Sequence, residues 1–366
     1  MSKKTDVHLR LAPAQVRPFS MDGATVEDLA KLGVQVTPKY VSDMRRCFSM
    51  DAAPMPITAA SAGVPLQFLQ TLLSGTVFAV TGARKIDDLV GRSVVGNWHD
   101  EEVVRTMVEL TGQPRPYGDH GRAPLANFNT AFEPRTVVRF AMSMEDRTLE
   151  QERAAALRQN SAELKRSAIG EALAIEHNAV GFFGYNDGEN RTYGFLNDPN
   201  LPAYQTLPVG ASGQTGWSSK TFEEITGDLR LAASTLRLRT RERVEPEKTP
   251  CTLAMASDSR DFLNVTNANG ITVKQWLKEN YPNWTVESAP ELNRANGGVN
   301  VFYLYADELP GPNASGVQKV VEQNVPAVFR FLGAEALANG RYEEFSSATA
   351  GVMWQIPVAV VRFTGN

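Results

Sequence analysis

The stretch Asp146–Val180 reads DRTLEQERAAALRQNSAELKRSAIGEALAIEHNAV, and its reading decides the fold. It holds no proline and one glycine, Gly170, and the strong helix formers Ala, Leu, Glu, Arg and Gln dominate it. Leu149, Ala156 or Leu157, Leu164, Ala168, Leu173 and Ala179 recur near the helical period, which predicts one apolar stripe along one long helix. Arg153, Arg158, Glu163 and Arg166 fall on its wet side. Asp146 or Thr148 supplies the cap, and Glu150 and Glu152 suit the positive end of the dipole. At about 1.5 Å per residue the helix would reach ~50 Å, the length of a strut across a wide, thin molecule. No strict heptad runs through it, which argues against a coiled coil.

Outward on the N-terminal side, Val138–Met144 alternates with period two and predicts a strand. Val103–Leu110 predicts another. Between them Thr111–Thr130 reads TGQPRPYGDHGRAPLANFNT, with three prolines, three glycines and no periodicity. Loops in compact domains usually run ~2–6 residues, so this one is expected to be a lid, a disordered insert or an arm reaching a neighbouring subunit. Residues 1 to about 80 are broken by Pro13, Pro18, Pro38, Pro54, Pro56 and Pro65. A segment so interrupted closes no core of its own and is expected either to lie on something else, docking through Val64–Leu69, or to stay a partly disordered tail.

On the C-terminal side, Gly181-Phe182-Phe183-Gly184-Tyr185 is followed by Gly194-Phe195-Leu196-Asn197-Asp198-Pro199-Asn200, an apolar piece ending in turn residues. Thr221 with Glu224 forms a capping box that opens a helix through residue 240. Arg237, Arg239, Arg241 and Arg243 alternate there, and with Glu242, Glu245 and Glu247 close by they read as a solvated face or a salt-bridged subunit contact. Residues 249–310 alternate strand, helix, strand, strand: Cys251–Met255, Thr272–Asn280, Trp284–Glu287 and Val299–Tyr305. Val317–Phe331 and Arg341–Phe345 bring strands back to the sheet under the long helix. The fold class is α+β.

The formal net charge is −4, which speaks against a protein built to grip nucleic acid. The N-terminus carries no signal peptide and no run approaches a membrane span, so a soluble protein made in a cytoplasm is expected, with no membrane partner. Cys47 and Cys251 read as two buried free thiols or as a disulfide. The four histidines, His8, His99, His120 and His177, show no metal-ligand spacing, and no nucleophile elbow, phosphate loop or dinucleotide fingerprint is present. No catalytic, metal or cofactor site is therefore expected.

Taken in order, these pieces resemble the major capsid proteins of tailed bacteriophages with the Hong Kong-97 fold. The resemblance rests on the long helix, the Gly194–Asn200 turn, Trp217-x-x-Lys220-Thr221-x-x-Glu224-Ile225-x-x-Asp228-Leu229, and the closing Gly351–Val361 with its Pro357-x-Ala359. It spans about 100 to 366. It implies an N-terminal arm at 1–80, an extended loop with its flanking strands at 81–144, a peripheral domain at 145–225 and 317–350 with the long spine helix, and an axial domain at 226–316 and 351–366. The function implied is a shell subunit that assembles with copies of itself, as hexamers and pentamers, into an icosahedral head around double-stranded DNA held by weak non-specific contact. Separate scaffold, portal and cement proteins are its further partners. Contacts between subunits are expected at Arg115, Tyr117, His120, Arg122, Phe128, Phe132 and Arg135. Some relatives form a Lys–Asn isopeptide bond, but 111–130 holds no lysine and no such bond is expected here. An encapsulin-type cellular shell is the near alternative. From another class, a cytosolic hydrolase would use 111–130 as a lid and Glu176/His177 or Asp119/His120 as acid and base.

Overall fold

The computed structural model describes residues 34–35, 80–81, 83–116, 124–156, 160–186, 188, 190–310 and 316–366. The chain divides into two units, 13–83 and the remainder. In the first, two short strands, β1 (Val34–Gln35) and β2 (Val80–Thr81), pair antiparallel. The expected arm otherwise lies outside the described residues, as does Cys47.

The second unit begins with helix α1 (Ile86–Val90) and strand β3 (Arg92–Ser93). Three ten-residue strands follow, β4 (Glu102–Thr111), β5 (Asn127–Thr136) and β6 (Val138–Arg147), and then helices α2 (Thr148–Ala156) and α3 (Ser161–Phe183). After β7 (Gln205–Thr206) come α4 (Phe222–Arg239), β8 (Cys251–Ala256), α5 (Val273–Asn280), β9 (Trp284–Ala289) and β10 (Val301–Ala306). The chain closes with β11 (Glu308–Pro310), β12 (Val317–Lys319), β13 (Val321–Asn324), β14 (Ala327–Leu337), β15 (Gly340–Thr349), β16 (Val352–Trp354) and β17 (Val360–Thr364).

The main core surrounds a five-stranded sheet in the order β7-β17-β10-β8-β9. Every residue of β8 and β10 is buried, which accounts for their unbroken apolar runs: a strand covered on both faces cannot alternate. Helix α4 packs against β10 and β17 with Ile225, Leu229, Ala232 and Leu236 inward, a spacing of three and four. The sheet β14-β15-β6 forms a second layer, and Ile169 and Leu173 of α3 pack against its Met144 and Phe345. Cys251 is a buried free thiol whose pKa burial pushes up to about 12, so it stays protonated.

Two expectations are corrected. The single strut is two helices. Asn160 leaves the helical conformation at φ −97°, ψ 97°, and its side chain accepts from Glu163 N at 3.3 Å. Asparagine favours the cap over the helix interior because its amide competes with the backbone. Asp146 sits buried at the junction and accepts from Gln151 and Ser161, one group from each helix. The apolar stripe accordingly runs through Ile169, Leu173 and Val180, whereas Leu149 and Ala168 are exposed and Leu164 is half-buried. At 1.5 Å per residue α3 spans ~35 Å rather than ~50 Å. Second, the strand at 103–110 is not followed by loop alone before 138–144. It pairs in unbroken antiparallel register with β5, from Glu102↔Thr136 to Thr111↔Asn127, while β6 joins β15. What reads as a loop from 111 to 130 is partly strand, at Thr111 and at 127–130.

Candidate assembly interface

Strands β4 and β5 form a two-stranded hairpin that pairs with no other strand among the described residues. Side chains alternate across such a ribbon, and residues directly opposite share a face. The pairs Leu110↔Phe128, Val108↔Thr130, Thr106↔Phe132 and Val104↔Pro134 therefore line one side. That side is apolar and open: Val104 is 53%, Val108 58%, Leu110 61%, Phe128 61% and Phe132 66% exposed. The other side carries Arg105, Glu109, Asn129 and Glu133. At roughly 3.4 Å per residue the ribbon is about 34 Å long. A contiguous apolar face of this kind marks an interaction surface, and a ribbon with no third strand does not hold an extended shape unaided.

The base of the ribbon is fastened. Arg135 is 2% exposed, and its Nη2 donates to Asp198 Oδ2 at 2.9 Å and meets Glu133 Oε1 at 2.6 Å. Its guanidinium also lies 4.9 Å from the centre of the Tyr193 ring. Burial raises the Asp198 carboxyl, opposed by the Asn200 N–H and the arginine charge. Asp198 belongs to a tight turn. Asn197 accepts from Gly194 N at 2.7 Å and donates to Phe183 O at 2.6 Å. A Cβ at Gly194 would come within 2.5 Å of the Phe182 backbone, so only glycine fits there. The Gly194–Asn200 sequence thus joins the end of α3 to the root of the hairpin.

A second buried pair starts α4. Lys220 Nζ donates to Asp228 Oδ2 at 2.6 Å, and Trp217 Nε1 donates to the same oxygen at 2.9 Å, with the indole ring 5.6 Å from that of Phe302 in β10. Glu224 closes the capping box by accepting from Thr221 N at 2.8 Å, and it also holds Ala211 N. The Trp-Lys-Thr-Glu-Asp spacing is thereby accounted for by packing and capping.

The residues expected at subunit contacts divide three ways. Arg115, Phe128 and Phe132 lie exposed on the hairpin or its tip. Tyr117, His120 and Arg122 fall outside the described residues, as does Asp119. Arg135 is corrected: its charge is buried and spent inside its own chain, so it anchors the hairpin instead of meeting a neighbour. Val104, Val108, Leu110 and Leu125, the last 92% exposed, are also open on the hairpin and were not among the expected residues. The even spacing 104, 108, 110 facing 128 and 132 was the available signal, hidden while 111–130 read as loop.

Glu176 and His177 do not converge on a cleft. His177 is buried 3.5 Å from Asp87 Oδ1, beyond a good hydrogen bond, and its imidazole, ahead of the Arg92 guanidinium, holds Asp87 down to about 2. Burial alone lifts Glu176 to about 7. Next to them, Asn178 accepts from Lys85 N and Ile86 N at the start of α1 and donates to Glu291 at 2.5 Å. The group ties α3, α1 and the segment after β9 together. Among the described residues no three His, Cys, Asp or Glu side chains are grouped to hold a metal ion, and no helix is long and apolar enough to cross a membrane.

The family model described as Pa193 gp26 major capsid protein matches residues 55–365. Among solved structures, the capsid of Myoviridae phage XM1 is similar at TM-score 0.65 and 16% identity, covering 84% of this chain and 100% of that one. The capsid of a native GTA particle is similar at TM-score 0.55 and 11% identity, covering 84% and 99%. The capsid of cyanophage P-SCSP1u follows at TM-score 0.50 and 11% identity, covering 86% and 98%. At these identities the likeness shows the fold. A search of curated proteins gave no match.

Proposed function

Because the chain belongs to the Pa193 gp26 major capsid protein family, we propose that the β4–β5 hairpin is the limb by which one subunit of this structural capsid protein holds the next. The protein is a component of a phage virion shell and assembles with copies of itself. The observation that supports the limb is the exposed apolar face of Val104, Val108, Leu110, Phe128 and Phe132. Covering it with a neighbour removes that surface from water, at ~25 cal/mol per Å². Each such contact is modest, and closure of the shell multiplies it because every subunit touches several others.

Arg115 and Phe128, with Tyr117, His120 and Arg122 between the two strands in sequence, are proposed to meet the neighbour first, and Phe132 to follow nearer the base. The proposed division keeps β6, α2, α3, β14 and β15 in a peripheral domain and the five-stranded sheet with α4 and α5 in an axial domain. Hexamers and pentamers are the proposed rings. Scaffold, portal and cement proteins are proposed as separate chains, and a mildly acidic subunit suits a container whose lining holds packaged double-stranded DNA weakly.

The test is Phe132→Asp with Phe128→Asp in the full chain. Assembly into particles should be lost while the unassembled subunit keeps its circular dichroism and melting temperature. Particles of normal size and yield from the double variant would refute the limb.

A further inference from the structure

At the C-terminal end of α4 the chain turns back through Arg241 and Glu242, both in the left-handed region at φ 50° and 62°. This turn, with Val108 of β4, Leu309 and Pro310 of β11, Gln318 of β12, and Ile356, Val358 and Ala359 before β17, walls a cleft of about 610 Å³. Arg239, Arg241 and Arg243 all border it. Among the described residues none of the three has a carboxylate partner.

The neighbouring acids are taken elsewhere. Glu247 pairs with Arg237, Glu245 with Lys248, and the field of Glu242 falls on Arg237. Arg243 Nη2 donates to Pro310 O at 2.8 Å and Arg239 Nη2 to Pro357 O at 3.3 Å, so both guanidinium groups are held in place by neutral carbonyls. Arg239 Nε is buried and bonded to nothing among the described residues. Burial depresses the Arg239 pKa, with no opposing acid. A helix C-terminus favours a cation nearby, which explains two arginines in the last turn of α4. It does not explain why a half-buried guanidinium whose Nε is shielded from water lacks a counter-charge, since charges drawn out of water are ordinarily paired.

We propose that this cleft receives a carboxylate side chain from a second copy of the chain, with Arg239 at its floor and Arg241 and Arg243 at its mouth. The inference rests on the chain's assembly as a shell subunit. A protein carboxylate on an apolar strand fits better than a phosphodiester backbone, because half the wall is aliphatic and a phosphate chain would have to shed water against it. The complementary surface is on the page. Acids outnumber bases, 41 to 37. Glu109 of β4 and Glu335 of β14 are exposed on strands rich in apolar residues, and neither has an ion pair among the described residues. Guanidinium matches carboxylate with two parallel N–H donors, which fixes direction as well as charge.

The experiment uses the full chain, first confirmed to form particles as wild type. Arg241→Glu with Arg243→Glu changes two exposed side chains and should leave the melting temperature of the unassembled subunit unchanged. The assembled fraction at about 0.1 M salt should fall at least ~10-fold, because the reversed charges now repel the incoming acid. Independently, Arg241→Lys chains, half of them labelled with nitrogen-15, are assembled together and treated with a carbodiimide, which joins an amine to a carboxylate. Cross-linked peptides joining position 241 to an Asp or Glu of the other isotope support the proposal. Wild-type yield from the charge-reversed chain, cross-links confined to one chain, or a loss of bound DNA with assembly intact would each overturn it. A wild type that forms no particles would instead defeat the shell reading itself.

Discussion

Arg135 Nη2 lies 2.9 Å from Asp198 Oδ2, with the arginine side chain 3% and the aspartate 0% exposed, at the root of a hairpin whose outer face is bare. The two facts belong together. A ribbon that finds its partner only in another molecule must be aimed before that partner arrives, and a buried, hydrogen-bonded charge pair aims it better than an apolar contact, which is non-directional.

Breaking that pair should cost more than a surface ion pair. Arg135→Ala leaves Asp198 buried without its cation, and the loss expected is about 3–5 kcal/mol. Thermal melting of the unassembled subunit reads it, and a double-mutant cycle with Asp198→Asn isolates the coupling. A drop of under ~1 kcal/mol would mean that water reaches the site.

Gly194→Ala should destabilise through backbone overlap. The new methyl meets the Phe182 backbone at 2.5 Å, and backbone cannot step aside as a side chain tip can. A loss of at least ~1–3 kcal/mol is expected, read as a lower denaturation midpoint in urea.

Glu176 and Asp87 give stability opposite slopes with pH. Glu176 is raised to about 7 by burial, so the folded state keeps a proton that the unfolded state releases. Its contribution is best below the ordinary glutamate range and is lost as pH rises to 7. Asp87 is lowered to about 2, so its contribution is complete above the ordinary aspartate range and is lost as pH falls toward 2. Melting temperatures between pH 5 and 8 should therefore fall more for wild type than for Glu176→Gln. Parallel curves would show that Glu176 is solvated.

The fully buried strands β8 and β10 were legible because an unbroken apolar run with β-branched and aromatic residues has few other readings. The start of α4 was legible too, since its capping box is local chemistry. The break at Asn160 was not, although Asn160-Ser161 with Glu163 is itself a cap signature: the surrounding helix formers outweighed it. Strand β5 was hidden for a different reason. Asn127-Phe128-Asn129-Thr130 falls in the stretch that reads as loop, and Pro134 sits within the strand because one edge of a two-stranded ribbon needs no donor. Arg135 shows the limit for single residues. Its burial depends on Asp198, far along the chain, and no spacing rule links them. The paired exposure of Phe128 and Phe132 could be read only after register was known.

The central claim is that the hairpin's apolar face is covered by another copy of this chain. Electron cryomicroscopy of particles assembled from the full chain measures it directly. The expected map is a closed icosahedral shell in which Val104, Leu110, Phe128 and Phe132 of each subunit pack on the body of a neighbour. A closed shell with those four side chains facing solvent, or packed only on their own subunit, would contradict the account.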